Sequence, residues 1–197
     1  MIVATWNVNS VKIRVENTLA WLKERNPDIV CLQELKCVDE AFPREAFESA
    51  GYNVATHGQK TYNGVAILSK LPLEDVSARL PGDETDEQAR YLEAVVSTAG
   101  GAVRIASLYL PNGNPIGTEK FSYKLAWMDR LIRHARDRLA LEEPFLLCGD
   151  YNVIPMPEDA KNPKDWVNDA LFQPESRGKL RELAALGFTD ALRACDD

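Results

Sequence analysis

The sequence predicts an α/β or α+β fold in which helices cover mixed sheets. Three observations support this class: apolar runs of strand length, intervening segments with helical periodicity, and a glycine pair between two β-rich runs. Because strand-helix-strand and hairpin patterns both occur, we expect parallel and antiparallel pairing in the same protein. The length of 197 residues fits one sizeable domain, and no internal repeat is evident.

The amino-terminal part of the chain alternates predicted strands with predicted helices. The segment 11–25 carries apolar residues at helical spacing and stops at Asn26-Pro27. The segment 43–50 has proline early and glycine directly after it, which is typical of a short helix. Strands are expected at 2–7, 29–34, 52–56 and 65–69.

The second half of the chain adds a hairpin and two helices. Two β-rich runs flank Gly100-Gly101, which has the composition of a hairpin turn. In the long helix expected at 118–141, basic residues alternate with acids, a pattern most simply assigned to a solvated face. The hairpin strands are expected at 91–97 and 103–110, a further strand begins at Phe145, 154–173 is expected to be a long functional loop, and a last helix spans 178–186.

Three of the predicted strands end on acid or amide side chains. The first ends on Asn7, the second on Glu34, and the strand from Phe145 leads into Asp150 and Asn152. Any one such ending is more often a turn cap than a site. Crowded carboxylates repel one another unless a cation lies among them, and we expect that nothing basic adjoins these strand ends in the sequence. The set therefore predicts an oxygen-ligated cation, Mg²⁺ or Mn²⁺.

The composition excludes several other classes of site. The four cysteines lack C-x-x-C spacing and only two histidines are present, so no zinc site is expected. No apolar stretch approaches the ~20 residues that span a bilayer, and no basic leader is present. We therefore expect a cytoplasmic protein with no membrane partner. The net charge of −7 leaves nucleic acid open as a partner, because a local basic rim can still contact phosphates.

Six short motifs, in order, give a resemblance that covers the entire chain. They are Thr5-Trp6-Asn7, Leu32-Gln33-Glu34-Leu35-Lys36, Tyr62-Asn63-Gly64-Val65-Ala66-Ile67, Gln88-Ala89-Arg90-Tyr91, Tyr109-Leu110-Pro111-Asn112-Gly113 and Gly149-Asp150-Tyr151-Asn152. This series resembles exonuclease III-type apurinic/apyrimidinic endonucleases. The resemblance implies a DNase I-like β-sandwich of two sheets flanked by helices, within an endonuclease/exonuclease/phosphatase domain over residues 1–197.

The resemblance also implies an activity. The motifs are similar to the DNA-repair branch of this superfamily, which implies a magnesium-dependent phosphodiesterase. Its substrate would be double-stranded DNA with abasic sites or damaged 3′ ends, which it would process as an abasic-site endonuclease and a 3′-to-5′ exodeoxyribonuclease. The motifs favour this nuclease function over a phosphatase acting on inositol phosphates or lipid headgroups.

The family's catalytic and metal-binding residues carry over to positions that match its motifs. Glu34 resembles the principal metal ligand and Asn7 a residue that supports the same metal. Asp150 is implied to handle a proton near the attacking water or the leaving group, and Asn152 to donate to the phosphate. The hydroxyl of Tyr109 is implied to face the scissile phosphate, with a buried packing tyrosine as the alternative.

Four further residues are predicted to contact DNA at the rim of the site. The resemblance implies that Arg90 positions the DNA backbone or the active site. The alternative is that it is an ordinary arginine at the start of a strand, without a functional role. Lys60, Asn63 and Asn112 lie on turns that could meet phosphates, and each is equally consistent with a plain turn residue. His57 matches no catalytic histidine, and we expect it to be structural, beside a turn.

The resemblance breaks at the carboxyl end of the sequence. The family continues beyond the position of Asp197 with further strands, a Gly-x-Arg-Ile-Asp-type segment and a terminal Ser-Asp-His motif. We therefore expect a fragment that is incomplete at this end and lacks strands, with an exposed face open to self-association. The alternative function is a catalytically dead module that binds metal and DNA, because the missing Asp and His orient or deprotonate the attacking water.

Overall fold

The structure of the protein, a computed structural model, describes residues 1–195. The chain divides into two compact units, one made of Met1–Tyr109 with Glu142–Tyr151 and one of Leu110–Leu141 with the chain from Asn152 onward. Over the described range, no helix is both long and apolar enough to cross a membrane. The predicted domain end at Asp197 lies outside the described residues.

The first unit contains two four-stranded sheets and two helices. One sheet has the strand order β1-β2-β4-β3 and the other β5-β6-β7-β8. β1 runs parallel to β2 and β7 parallel to β8, whereas the other neighbours are antiparallel. The elements are β1 (Val3–Asn7), α1 (Val15–Arg25), β2 (Ile29–Gln33), α2 (Arg44–Ser49), β3 (Asn53–His57), β4 (Val65–Ser69), β5 (Glu74–Ala78), β6 (Tyr91–Thr98), β7 (Gly101–Tyr109) and β8 (Phe145–Asp150), with a short 3₁₀ helix at Asp39–Ala41.

Alternate residues of β2 belong to two different apolar layers. Ile29 and Cys31 pack in a cluster that also contains residues of β4, β6 and β7, and so lies between the sheets. Val30 and Leu32 pack in a second cluster, together with residues of α1 and α2. Because successive side chains of a strand point to opposite faces, burial on both faces requires a continuous apolar run. This requirement explains why β2 shows no polar alternation.

Most predicted elements of the first unit are present with shifted ends. The hairpin of β6 and β7 pairs antiparallel, and β4 has the predicted bounds. α1 begins at Val15 instead of residue 11, because residues 11–14 form a turn before the helix. His57 is the last residue of β3, so it belongs to the strand and lies directly before the loop that follows. The unpredicted β5 has five exposed residues, so it lacks the apolar face that identifies a strand.

In the described part of the second unit there are three α-helices and a long loop. α3 (Glu119–Leu139) packs against α4 (Pro174–Ala184), and α5 spans Ala191–Cys195. α4 begins four residues before the predicted 178–186 helix, because proline suits the first turn of a helix. The predicted 154–173 loop includes short 3₁₀ helices at Pro157–Asp159 and Pro163–Trp166. A hydrogen bond of 2.9 Å from the Ile154 amide to the Leu171 carbonyl ties its two ends together.

The prediction of a solvated basic face on α3 is wrong in part. The side chains of Lys124 and Arg130 are buried, with 0% and 7% of their surface exposed. His134 is buried as well. The apolar residues Met128, Leu131, Ile132 and Ala135 of the same helix are buried too. The alternation of charges along the helix does not show which of its basic side chains are buried by the rest of the chain.

Candidate active site

Four polar side chains meet at strand ends of the first unit. Asn7 ends β1, and Glu34 directly follows β2 in the same sheet. Tyr109 ends β7, and Asp150 ends β8 in the other sheet. Because both strand pairs are parallel, each sheet brings two carboxyl ends to the same place. The structure thus brings together four of the residues that the sequence singled out.

Asn7 connects the two carboxylates. Its Nδ2 donates to Glu34 Oε1 and to Asp150 Oδ2, each at 2.9 Å. Its Oδ1 accepts a hydrogen bond of 3.0 Å from the Asn9 backbone amide, and these three bonds define the orientation of the side-chain amide. The nitrogen of Asn7 therefore faces the acids. In this arrangement Asn7 supports the site by orienting carboxylates, because an amide nitrogen is not a metal ligand.

Tyr109 donates to Glu34 and is itself held by Arg90. The Tyr109 hydroxyl lies 2.9 Å from Glu34 Oε1. The guanidinium carbon of Arg90 lies 5.0 Å from the centre of the Tyr109 ring, and Arg90 Nη1 donates to the Tyr109 carbonyl at 3.2 Å. Burial raises the pKa of Tyr109, and the hydrogen bond to Glu34 raises it further. The hydroxyl is therefore a stable hydrogen-bond donor at neutral pH.

Lys36 forms an ion pair with Glu34, and this pairing was not predicted from the sequence. Its Nζ lies 2.9 Å from Glu34 Oε2 and also donates to Asn9 Oδ1. The expectation that nothing basic adjoins these strand ends is wrong, because Lys36 stands only two residues beyond Glu34. Burial raises the pKa of Glu34, but hydrogen bonds from Asn7, Lys36 and Tyr109 and the Lys36 charge outweigh it, so the pKa is lowered. The carboxylate is ionised at neutral pH.

The backbone turns sharply where β2 delivers Glu34. Glu34 and Lys36 have φ of +56° and +55°, in the left-handed region that residues other than glycine rarely adopt. The turn is held by hydrogen bonds from the Lys36 amide to the Asn63 carbonyl and from the Leu35 amide to the Gly64 carbonyl. Backbone strain of this kind costs about 1–3 kcal/mol per residue and clusters at functional sites.

The predicted rim residues of the first unit differ in exposure. Asn63 is 7% exposed, and its Nδ2 donates to Gln59 Oε1 at 2.8 Å. Its side chain therefore stabilises the turn, in line with the plain structural alternative. Lys60 is exposed and free of that network, so it is accessible to a ligand. Arg90 is half-buried against Tyr109, in line with a positioning role.

Asn112 and Asn152 come together within the second unit. Asn112 Nδ2 lies 3.4 Å from Asn152 Oδ1, and Asn152 Nδ2 donates to the Leu110 carbonyl at 2.8 Å. The Asn114 amide donates to Asn112 Oδ1 at 3.1 Å. Asn112 is exposed and Asn152 is half-buried with a φ of +45°. These two predicted phosphate-contacting residues thus form a connected pair.

The carboxylates of Glu34 and Asp150 are the groups that could hold a metal ion. From residue 1 to residue 195, no cluster of three or more His, Cys, Asp and Glu side chains encloses a cation site. Mg²⁺ commonly binds proteins through only one or two carboxylates and completes its octahedron with water and substrate phosphate. The chemistry of two carboxylates oriented by one amide fits such an open site.

The fold and the site define a two-sheet protein that collects its acids at strand ends. The chain belongs to the endonuclease/exonuclease/phosphatase family, whose profile matches residues 4–192. It is 32% identical to exodeoxyribonuclease III of Haemophilus influenzae over 196 residues, which cover 96% of this chain and 73% of that protein. The resemblance to exonuclease III-type endonucleases is thereby confirmed.

Solved structures confirm the DNase I-like fold. An AP endonuclease from Archaeoglobus fulgidus matches with a TM-score of 0.91 and 38% identity, covering 98% of this chain and 74% of its own. A 3′ phosphatase from Neisseria, bound to a product DNA hairpin, matches with a TM-score of 0.93 and 36% identity over the same shares. The chain therefore spans about three quarters of the length of these proteins.

Proposed function

We propose that this chain is a metal-dependent DNA-repair phosphodiesterase that incises double-stranded DNA at abasic sites and processes 3′ ends. The observation that carries the proposal is the pair of carboxylates, Glu34 and Asp150, bridged by Asn7 at the carboxyl ends of strands. The names of the similar proteins support the substrate class, since they include an exodeoxyribonuclease III, an AP endonuclease and a 3′ phosphatase bound to DNA.

Glu34 and Asp150 would hold the cation, which we propose to be Mg²⁺ or Mn²⁺. Carboxylate oxygens are the ligands that these hard ions prefer. When bound, such an ion polarises a phosphate oxygen and stabilises the charge that develops on the leaving oxygen. The ammonium group of Lys36 pairs with the negative charge of Glu34, so it keeps this carboxylate ionised and oriented before a ligand binds.

The chain's own side chains would orient the reacting groups. Asn7 fixes both carboxylates through one amide, so their separation is set before substrate binds. Tyr109 presents a protonated hydroxyl, which can donate to Glu34 or to a phosphate oxygen. Asp150 is an acceptor for a proton of water or a donor to the leaving oxygen, the role that the resemblance implies for it.

Contacts to DNA are proposed for Arg90, Lys60, Asn112 and Asn152. Arg90 and Lys60 supply positive charge for the phosphate backbone, and backbone contacts of this kind position the duplex without reading its sequence. Asn112 is exposed, and its side-chain amide has a second N–H, beside the one directed at Asn152, that can donate to a phosphate oxygen; Asn152 is proposed to meet the same phosphate beside it. Asn63 would support DNA contact only indirectly, by stabilising its turn, because its side chain is buried and its amide donates to Gln59.

Incision of a duplex with one abasic site tests the proposal. We expect Mg²⁺-dependent cleavage by the wild-type protein and a loss of at least about 100-fold in Glu34→Gln, which removes the carboxylate charge. Glu24→Gln is the matched control, since this acid of α1 undergoes the same chemical change, is 70% exposed and does not belong to the strand-end set. Parallel assays with a recessed 3′ end and a 3′-phosphate end rank the DNA activities.

The same assays separate the alternatives. Binding of the abasic duplex without cleavage, unchanged in Glu34→Gln, would support the catalytically dead metal- and DNA-binding module. Turnover of inositol phosphates with no cleavage of DNA would assign the chain to a phosphatase branch. Two expectations stay predictions alongside these: a cytoplasmic location, which fractionation checks, and self-association, which sedimentation velocity checks.

A further inference from the structure

A charged side chain lies fully buried in the second unit. Lys124 of α3 has 0% of its surface exposed. Its Nζ donates to the backbone carbonyl of Asn112 at 3.1 Å and to that of Asn152. Burial of an ammonium group is unfavourable unless hydrogen bonds replace the water it loses. The carbonyls of Asn112 and Asn152 supply hydrogen bonds of this kind to the buried ammonium group.

The two carbonyls belong to residues that are far apart in sequence and close in the unit. The side chains of Asn112 and Asn152 lie 3.4 Å apart, so Lys124 contacts the backbone beneath a pair of amides. The loop that follows Asn112 packs closely on the lysine stem: Gly113 has a φ of +88°, and a Cβ built on it would lie 2.6 Å from Lys124 Cδ. A larger residue at 113 would displace either the loop or the lysine.

We propose that Lys124 is a positioning residue that holds Asn112 and Asn152 in the orientation needed to contact a DNA phosphate. This inference rests on the proposed function. Lys124 does not itself meet DNA, because none of its surface is exposed. It acts through two backbone carbonyls, and loss of its ammonium group releases both Asn112 and Asn152 at once.

Replacement of the ammonium group tests the proposal. Lys124→Met keeps the length of the stem but removes the donors and the charge. Since a misplacement of about 1 Å can cost 100-fold in rate, we expect kcat on the abasic duplex to fall by about 100-fold, with KM changed less than about threefold. Lys124→Arg retains donors and charge, and it should recover most of the lost kcat.

Arg133→Met is the matched control, because it removes an exposed cation from the same helix. We expect it to leave kcat unchanged. A purely structural role of Lys124 would lower the melting temperature and leave kcat per folded molecule unchanged in Lys124→Met. That result overturns the proposal. If Lys124→Met does not fold, Lys124→Gln takes its place, since it keeps a polar group that is too short to reach both carbonyls.

A measurement without turnover distinguishes this inference from the proposed function. In the wild-type protein, NMR should detect the Lys124 ammonium protons with scalar couplings across hydrogen bonds to the carbonyl carbons of Asn112 and Asn152. Couplings in a protein that cleaves no DNA support the contacts while refuting the proposed activity. Rapid exchange of the ammonium protons without couplings overturns the inference, even if the wild-type protein incises DNA.

Discussion

At the scale of single residues, the orientation of Glu34 is determined several times over. Its Oε1 accepts from Asn7 and Tyr109, and its Oε2 pairs with Lys36. Three partners on one carboxylate leave little rotational freedom, even though the Glu34 backbone occupies a strained region. The surrounding donors therefore stabilise a conformation that the backbone alone disfavours.

Removal of one donor gives a prediction about catalysis. Tyr109→Phe deletes the hydroxyl that donates to Glu34 and keeps the ring beside Arg90. We expect kcat for abasic-site incision to fall by about 100-fold, the usual effect of one preorganised donor. Tyr62→Phe is the control, because Tyr62 is 68% exposed. Equal kcat values for the two variants would contradict a functional role for the Tyr109 hydroxyl.

His57 gives a prediction about stability and pH. Its Nε2 is buried without a hydrogen-bond partner, and burial lowers the pKa of His57, aided by Arg79 and opposed by Asp39. The folded state thus favours the neutral ring, so this stability is complete above the unfolded-state pKa of about 6.5 and is lost as pH falls through the folded-state value.

The measurement is urea unfolding at pH 7.5 and pH 5.0. The free energy of unfolding of the wild type should fall further between these pH values than that of His57→Leu, because leucine cannot take up a proton. An identical pH dependence in the two proteins would mean that His57 titrates alike in the folded and unfolded states.

At the scale of elements, one guanidinium connects the strands of the second sheet. Arg104 of β7 contacts Glu93 of β6 at 3.2 Å and Asp75 of β5 at 2.8 Å. Its Nε lies 3.2 Å from Glu143, two residues before β8. The Arg104 side chain is 6% exposed and that of Glu93 1%, so this part of the network is screened from water. β5 has little apolar surface of its own and depends on such contacts.

Arg104→Met should destabilise the protein strongly. Breaking a buried ion pair typically costs about 3–5 kcal/mol, because the remaining acid loses its compensating charge. The free energy of unfolding in urea measures this cost. Arg25→Met is the control, since the Arg25 side chain is 67% exposed in its pair with Glu24 and such pairs contribute at most about 1 kcal/mol. A loss below about 1 kcal/mol in Arg104→Met would refute the structural role of the network.

At the scale of the whole molecule, the acids of the site link cation binding to folding. Glu34 and Asp150 are 116 residues apart in sequence, so they meet only in the folded chain. A ligand that binds only the folded state stabilises it, by about 2.7 kcal/mol at a concentration of 100 times Kd.

We therefore expect the melting temperature of the wild type to rise with MgCl₂. The rise should be absent in Glu34→Gln, which loses a proposed ligand. KCl at matched ionic strength controls for general salt effects. An equal rise with KCl, or an equal rise in Glu34→Gln, would refute a specific cation site at this carboxylate.

Sequence patterns predicted the strand ends far better than the contacts between them. Asn7, Glu34 and Asp150 each follow an apolar run, so local pattern is sufficient to place them. The hydrogen bond between Asn7 and Asp150 joins residues 143 positions apart, and no short-range pattern specifies how two sheets face one another. Lys124 was misassigned to a solvated face, because its burial depends on loops that are distant in sequence.

The hydrogen bonds of the Asn7 amide form only when the two sheets are correctly aligned. One hydrogen of this amide goes to the residue after β2 and the other to the last residue of β8, in the opposite sheet. A slip by one residue would shift the strand ends by about 3.3 Å, more than a hydrogen bond tolerates. Substitutions that loosen the packing between the sheets should therefore abolish activity while the protein still unfolds cooperatively.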